Sequence, residues 1–488
     1  MTVFLVGAGP GDPGLLTVRG AEVLARADAV VHDRLSVAAL LDLAPEKAER
    51  ISVGKTPRGP STAQSEINAL LVDLGRAGLE VVRLKGGDPF VFARGAEEAG
   101  ALAAAGVPFE VVPGVSSAVA VPAYAGVPLT ARGLTTSFTV VTGHEDSLGA
   151  GRTDWEALAR TGGTIVVLMG VATRASIAER LMAGGLAPHT PVASVQWGTR
   201  PEQRTVRTTL SDLAATHLEP PSVMVIGKVA GLELGWYERL ALFGRSVVVT
   251  RPLAQAPALA GRLAALGARA VGLPCIEIGE AADGGARLRA AAAHVASYDW
   301  LVFTSANAVE RFLPLLRDAR SLGTARVAAI GPGTAEALAI HRVVADLIPE
   351  RFVAESLLQA FPPPPAGGGK VLLPRAATAR EVLPEGLRAA GWEVDVVEAY
   401  RTRAGSPSPA ALRAAADADA ITFTSSSTVT GFLDVAGRHA LPPLVACIGP
   451  VTAATARKHG ITVELEAEVH TIDGLVEALA AALGRKRG

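Results

Sequence analysis

The sequence predicts an α/β protein of two halves, each two-lobed, and three observations carry that prediction. Short apolar runs alternate with Ala/Leu-rich stretches whose apolar residues recur every three to four positions, the pattern of strands and helices in turn. The second half holds an internal repeat: DWLVFTSANAVERFL at 299–313 resembles DAITFTSSSTVTGFL at 419–433, and ARVAAIGPGTAEAL at 325–338 resembles PLVACIGPVTAATA at 443–456. The 488 residues are 49% hydrophobic and 19% charged, enough apolar material for several cores.

In the first half the expected strands are 3–6, 29–31, 81–84, 109–112, 139–142, 165–169, 192–196 and 223–226, with helical patterns such as 66–77 and 174–183 between them. The run 107–113 closes one lobe and Pro113-Gly114 opens a loop into the next, giving lobes 1–112 and 113–240. The segment GWYERLALFG at 235–244 is neither long nor Gly/Ser-rich, which reads as a tight connection to a new strand at 247–250. PPPPAGGG at 362–369 lies between a helix and a strand and reads as a surface loop inside a domain. Each copy of the repeat runs strand, Thr-Ser turn, helix, strand, Gly-Pro-x-Thr turn, helix. Ser305, Thr334, Ser425 and Thr452 stand at the four helix starts. Singly they read as N-caps; as a set they suit a cleft that holds anions, because first-turn N–H groups and the helix dipole favour negative charge.

Charge and composition exclude several classes. Lys+Arg 46 against Asp+Glu 47 argues against a general nucleic-acid binder. No uncharged apolar stretch reaches about 18 residues, so no membrane span is expected, and residues 1–7 lack the features of a signal peptide. Cys275 and Cys447 each lie in an apolar run with no Cys-x-x-Cys spacing, which reads as buried free thiols in a reducing cytoplasm. No His/Cys cluster has metal-ligand spacing, so no metal is expected.

GAGPGD at 7–12 follows a strand and invites a dinucleotide reading. Pro10 and Pro13 stand where the phosphate-binding helix would begin, so the loop reads as a rigid wall around a ligand without phosphates, and a nicotinamide oxidoreductase is disfavoured. Further on come HDR at 32–34, VGK at 53–55, RLKGGDPF at 83–90, FARG at 92–95, PGVSSA at 113–118 and PLTARG at 128–133. This ordered set resembles the uroporphyrinogen-III C-methyltransferases over residues 1 to 235. His32 stands where that family usually has Tyr, and Lys55 is followed by Thr56, Pro57 and Arg58.

The resemblance implies a two-lobed tetrapyrrole methyltransferase fold, S-adenosylmethionine as methyl donor, S-adenosylhomocysteine as its product, and uroporphyrinogen III methylated at carbons 2 and 7 to precorrin-2. It implies a donor site of Pro10, Gly86, Gly87, Asp88, Val91, Ser116, Ser117, Met169 and Gly198. It makes Asp33 the base, Lys55 its acid partner and Arg94 a grip on a substrate carboxylate, and it implies a homodimer formed through this half.

In the second half, VVVTRP at 247–252, FTSAN at 303–307, LPR at 373–375, YRT at 400–402 and the repeated Ile-Gly-Pro-x-Thr turns resemble uroporphyrinogen-III synthase over about 244–488. That resemblance implies a two-lobed α/β fold, one lobe from 244–274 plus 403–488 and the other from 276–400. It implies hydroxymethylbilane as substrate and Thr334, Tyr400 and Thr452 in the cleft, with Tyr400 as proton donor to the leaving hydroxyl. Ser305, Asn307, Arg375 and Ser425 join them as substrate contacts. The other reading left open is an active methyltransferase joined to a degenerate, tetrapyrrole-binding second half.

Overall fold

Four five-stranded sheets organise the described residues, two on each side of a division between Gly244 and Arg245. The computed structural model describes residues 2–33, 38–54, 62–144 and 153–484. In unit 1 the first sheet consists of β1 (Val3–Gly7), β2 (Ala29–His32), β3 (Glu49–Ser52), β4 (Val81–Lys85) and β5 (Phe109–Val112) in the order β3-β2-β4-β1-β5. All its neighbours are parallel. Strands covered on both faces read as unbroken apolar runs, and β1 and β4 are buried throughout. The exceptions are Arg83 and Lys85, buried inside β4. Ligands of open parallel sheets lie beyond the carboxyl ends of the strands. There β1, β2 and β4 deliver the GPGD loop, Asp33 and the GGDP loop to one edge.

The second sheet of unit 1 holds β6 (Phe138–Thr142), β7 (Thr164–Leu168), β8 (Pro191–Gln196), β9 (Arg204–Thr209) and β10 (Ser222–Ile226), ordered β6-β7-β10-β8-β9. Only β6 and β7 run parallel. Beyond β10 the chain folds back on its own unit. Tyr124, Trp236, Tyr237 and Phe243 form a chain of ring contacts with centroids 4.9–5.5 Å apart, and Trp236 Nε1 donates to the Ala123 carbonyl at 2.9 Å. Gly126, at φ +67°, meets this segment so closely that a Cβ would lie 2.2 Å from Leu234 backbone.

Unit 2 contains β11 (Ser246–Val249), β12 (Arg269–Gly272), β13 (Ile276–Gly279), β14 (Trp300–Phe303), β15 (Arg326–Ala329), β16 (Lys370–Ala376), β17 (Glu393–Ala404), β18 (Ala420–Phe423), β19 (Leu444–Cys447) and β20 (Leu465–Glu466). They form the sheets β12-β11-β18-β19-β20 and β13-β17-β16-β14-β15. All pairs are parallel except β13 with β17. The sequence repeat is therefore a structural one, with β11-β18-β19 matching β16-β14-β15. Asp419 accepts the Ser246 amide at 2.8 Å and Asp299 accepts the Lys370 amide at 2.8 Å. After each copy, Ile330 and Ile448 donate to Phe303 and Phe423 at 3.0 Å. The Pro/Gly loop at 362–369 lies within the second lobe, where Trp392 Nε1 donates to the Pro362 carbonyl at 3.1 Å. Cys275 and Cys447 are free and buried, and burial pushes both thiols up to about 12.

Candidate active sites

A cavity of about 550 Å³ opens at the carboxyl edge of the first sheet, walled also by the helix Ser117–Tyr124 and by loops of the second sheet. Pro10, Gly86, Gly87, Asp88, Val91, Ser116, Ser117, Met169 and Gly198 all line it. The loops that shape it are sewn backbone to backbone. Gly87 N donates to Gly9 O at 2.8 Å and Gly9 N to Gly87 O at 3.2 Å. A Cβ on Gly7 would lie 2.4 Å from the Gly114 Cα, so only glycine allows this approach. The Asp88 carboxylate accepts the Phe90 amide at 2.8 Å and the Gly114 amide at 3.0 Å. It thus staples one loop to the next. Asp12 ties the GPGD loop to the second lobe of the unit: its carboxylate accepts from the Tyr124 hydroxyl at 2.6 Å, and its amide donates to Thr199 Oγ1 at 3.1 Å.

Backbone strain collects at this cavity. Phe92, Arg94, Met169, Trp197 and Thr199 are left-handed, with φ between +49° and +70°. Such conformations cost about 1–3 kcal/mol each and persist where the surroundings impose them. Met169 was expected at the end of a strand, but β7 stops at Leu168, and Met169 turns left-handed with 53% of its surface exposed. The walls are largely apolar: Val91, Phe92, Val121, Leu168 and Val195 face the space with few polar groups. The first α-helix after β1 begins only at Val18, capped by Thr17, so no helix start meets the GPGD loop as a pyrophosphate would need. The size and lining suit a nucleoside with an aliphatic amino-acid tail.

Beside the cavity lies a row of four charges. Arg83 Nη2 donates to Asp33 Oδ1 at 2.7 Å, and Arg83 Nε donates to Glu98 Oε1 at 3.1 Å. Lys85 Nζ reaches the same Glu98 oxygen at 2.8 Å, and Gln64 Nε2 at 3.3 Å. Arg83 and Glu98 are 2% and 0% exposed, while Asp33 is partly open to solvent. Burial, and then the Arg83 guanidinium, push the Lys85 ammonium below the usual lysine range against the pull of Glu98. The two cations and two carboxylates balance, and only Asp33 reaches outward. Arg94 is exposed and forked onto Glu97 with two bonds of 2.7 Å. Lys55 lies outside the described residues.

In unit 2, Tyr400 sits in β17 with 7% of its surface exposed, packed in the core of its lobe, and its hydroxyl shares a hydrogen bond with Ser305 Oγ at 3.1 Å. Ser305 also caps the helix Ala306–Phe312 by accepting from the Ala308 amide. Ser425 does the same for Ser426–Val435, with Thr428 closing a capping box. Thr334 and Thr452 are buried in the first turns of Pro332–Ile340 and Pro450–Lys458. Arg375 is bound by the Glu381 carboxylate and the Arg380 carbonyl. Asn307 accepts from Gln255 Nε2 across the two lobes of the unit.

The family model for uroporphyrinogen-III synthase HemD matches residues 257–477, and that for tetrapyrrole (corrin/porphyrin) methylases matches residues 2–214. The porphyrin biosynthesis protein HemD of Ruminiclostridium josui is 37% identical over 491 residues, taking in 98% of this chain and 97% of that protein. The chain belongs to this HemD family. Its unit 1 is the tetrapyrrole methylase part and its unit 2 the uroporphyrinogen-III synthase part. The methylase unit is also similar to the S-adenosyl-L-methionine-dependent uroporphyrinogen III methyltransferase of Methanosarcina barkeri. The two are 48% identical over 235 residues, 47% of this chain and 92% of that one. A solved structure, the uroporphyrin-III C-methyl transferase of Thermus thermophilus complexed with S-adenyl homocysteine, is 43% identical, covers 47% of this chain and 98% of its own, and has a TM-score of 0.41.

Several parts of the methylase site carried no readable signal. Phe92, Trp197 and Arg200 line the cavity, with the Arg200 guanidinium 5.1 Å from the Trp197 ring centre. Their left-handed or stacked placement comes from tertiary packing. Glu98 looked like one of two surface glutamates on a helix. Its partners in β4, two basic residues within an apolar run, were the available hint. Among the described residues no group of three or more His, Cys, Asp or Glu could hold a metal, and no helix is long and apolar enough to cross a membrane.

Gly198 gives a direct check on the cavity. A Cβ there would lie 2.3 Å from Val121 Cγ1, and overpacking of this kind costs about 1–3 kcal/mol. Gly198→Ala is expected to weaken S-adenosylmethionine binding by about tenfold or more, read by calorimetric titration of the full chain.

Proposed function

We propose that unit 2 closes hydroxymethylbilane to uroporphyrinogen III and that unit 1 methylates this macrocycle at carbons 2 and 7, giving precorrin-2. The observation that carries the reading is the cavity itself. It gathers nine residues scattered between Pro10 and Gly198 at the sheet edge that also presents Asp33. S-adenosylmethionine supplies an electrophilic methyl group, which leaves sulfur for a macrocycle carbon, with S-adenosylhomocysteine as the product.

The residues of unit 1 supply placement and proton traffic. Gly86 and Gly87 let the backbone come close to the donor, Met169 and Val91 flank it, and Ser116 and Ser117 meet its polar tail. Asp33 takes the proton that the methylated macrocycle must lose, and Arg83 holds that carboxylate in place. Arg94 exchanges Glu97 for a substrate carboxylate, and Lys55 serves as the acid partner. Fixing the two reactants in line lowers the barrier by up to about 7–11 kcal/mol.

In unit 2, Tyr400 passes its proton to the leaving hydroxyl, which departs as water, while Ser305 orients the phenol. The carbon that closes the ring gives up a proton in return, so one water is lost overall. Thr334, Ser425, Thr452 and Arg375 hold carboxylates of the folded chain. The match of the synthase model over 257–477 and the intact hydroxyl turns in both copies favour a working second unit over a degenerate one. Tyr400→Phe is expected to slow cyclisation by about 10²-fold, measured as the uroporphyrinogen III formed before spontaneous closure to the other isomer.

The chain works in the cytoplasm as a homodimer through unit 1, without nucleic acid or membrane partners. Sedimentation at twice the mass of one chain tests the dimer. The deciding experiment feeds the full chain hydroxymethylbilane and S-adenosylmethionine. A cyclic product heavier by two methyl groups is expected; a product with no added methyl, or only the type I isomer, would overturn the reading.

A further inference from the structure

The repeat in unit 2 makes two arginines equivalent. Val247 lies opposite Ala420, as Val371 lies opposite Trp300. Counted from those pairs, Arg251 follows β11 at the place that Arg375 holds in β16. Their surroundings differ. Arg375 is matched, since Nη2 donates to the Glu381 carboxylate and Nη1 to the Arg380 carbonyl at 3.1 Å. Arg251 has a neutral amide where Arg375 has a carboxylate: its Nη2 donates to Gln255 Oε1 at 3.3 Å. Its Nε is buried and has no hydrogen-bond partner among the described residues, and it forms no ion pair with any of them.

Burial pushes the Arg251 guanidinium down from the usual arginine range, while Glu310, on the helix Ala306–Phe312, pulls weakly the other way without touching it. A desolvated cation without a counter-ion costs stability, so its persistence calls for a use. Its place supplies one. Gln255 donates to Asn307 on the helix whose cap, Ser305, bonds to Tyr400. Arg251 thus stands two side chains from the helix at the Tyr400 site.

We propose that Arg251 binds a carboxylate of the linear tetrapyrrole in unit 2, the ligand filling the role that Glu381 fills for Arg375. This rests on the synthase reading above. A guanidinium fork takes a carboxylate through two parallel N–H bonds, which a lysine cannot reproduce. A polycarboxylate substrate brings the missing charge with it.

The test uses the full chain as parent, Arg251→Gln and Arg251→Lys. Expected for Arg251→Gln is a KM for hydroxymethylbilane raised about tenfold. The melting transition of unit 2 should be unchanged or higher, because a desolvated charge has gone. Arg251→Lys should recover part of the affinity. Methylation of added uroporphyrinogen III serves as the internal control. A KM within threefold of the parent overturns the assignment. So does a raised KM accompanied by a lowered melting temperature and unimproved in Arg251→Lys, which would make Arg251 structural. Failure of the synthase reading shows separately, as a parent that forms no uroporphyrinogen III, and removes the proposal with it.

Discussion

Asp33→Asn is expected to slow methyl transfer to uroporphyrinogen III by about 10²–10⁴-fold, the usual contribution of a positioned general base, while S-adenosylmethionine affinity stays within about threefold. The amide has nearly the shape of the carboxylate and keeps an oxygen for Arg83 Nη2, now at 2.7 Å. It cannot take a proton. Asp33 also lies outside the residues that line the cavity, so the donor should bind as before. Single-turnover rates with saturating donor separate the two quantities. A rate within tenfold of the parent would mean that the proton leaves by another route, and Asp33 would lose its role as base.

The second large effect is on folding. Glu98 is fully buried, and its Oε1 accepts from Arg83, Lys85 and Gln64 together. Glu98→Leu leaves two buried cations sharing one carboxylate, Asp33, which touches only Arg83. Breaking a buried pair by removing one partner costs about 3–5 kcal/mol. For a unit of this size that lowers its melting temperature by roughly 6–20 °C. Calorimetry of the full chain should show the transition of unit 1 shifted and that of unit 2 in place. Adding Lys85→Met to Glu98→Leu should restore part of the loss, because one uncompensated charge has been removed. A melting shift below about 2 °C for Glu98→Leu would show that the charges find other partners or water.

Legibility in the sequence followed burial. The strands covered on both faces, β1, β4, β7 and β10, announce themselves as unbroken apolar runs. The missed strands, β3 and β9, lie at sheet edges and read ERIS and RTVRTT. Edge strands carry polar and charged residues because one side faces water and must not pair with other chains. The donor cavity was legible because its residues fall in ordered short motifs. Glu98 was not, because its burial depends on which strand its helix covers, and Glu97 beside it is exposed on the same turn. In unit 2 the repeat was plain, yet the contrast between Arg251 and Arg375 was hidden. It depends on whether the loop after each strand brings back a carboxylate or an amide.

The twinned lobes of unit 2 bear on how such a protein could tell one end of its substrate from the other. Hydroxymethylbilane is a string of four similar rings, and a receptor of two truly identical halves would accept it in either direction with equal ease. Only the points where the copies have drifted apart can decide which terminal ring is turned over. The unequal neighbours of the two matched arginines, and the two-residue β20 that ends one sheet where the antiparallel β13 ends the other, are such points. Restoring likeness between the copies should therefore erode isomer choice before it erodes binding.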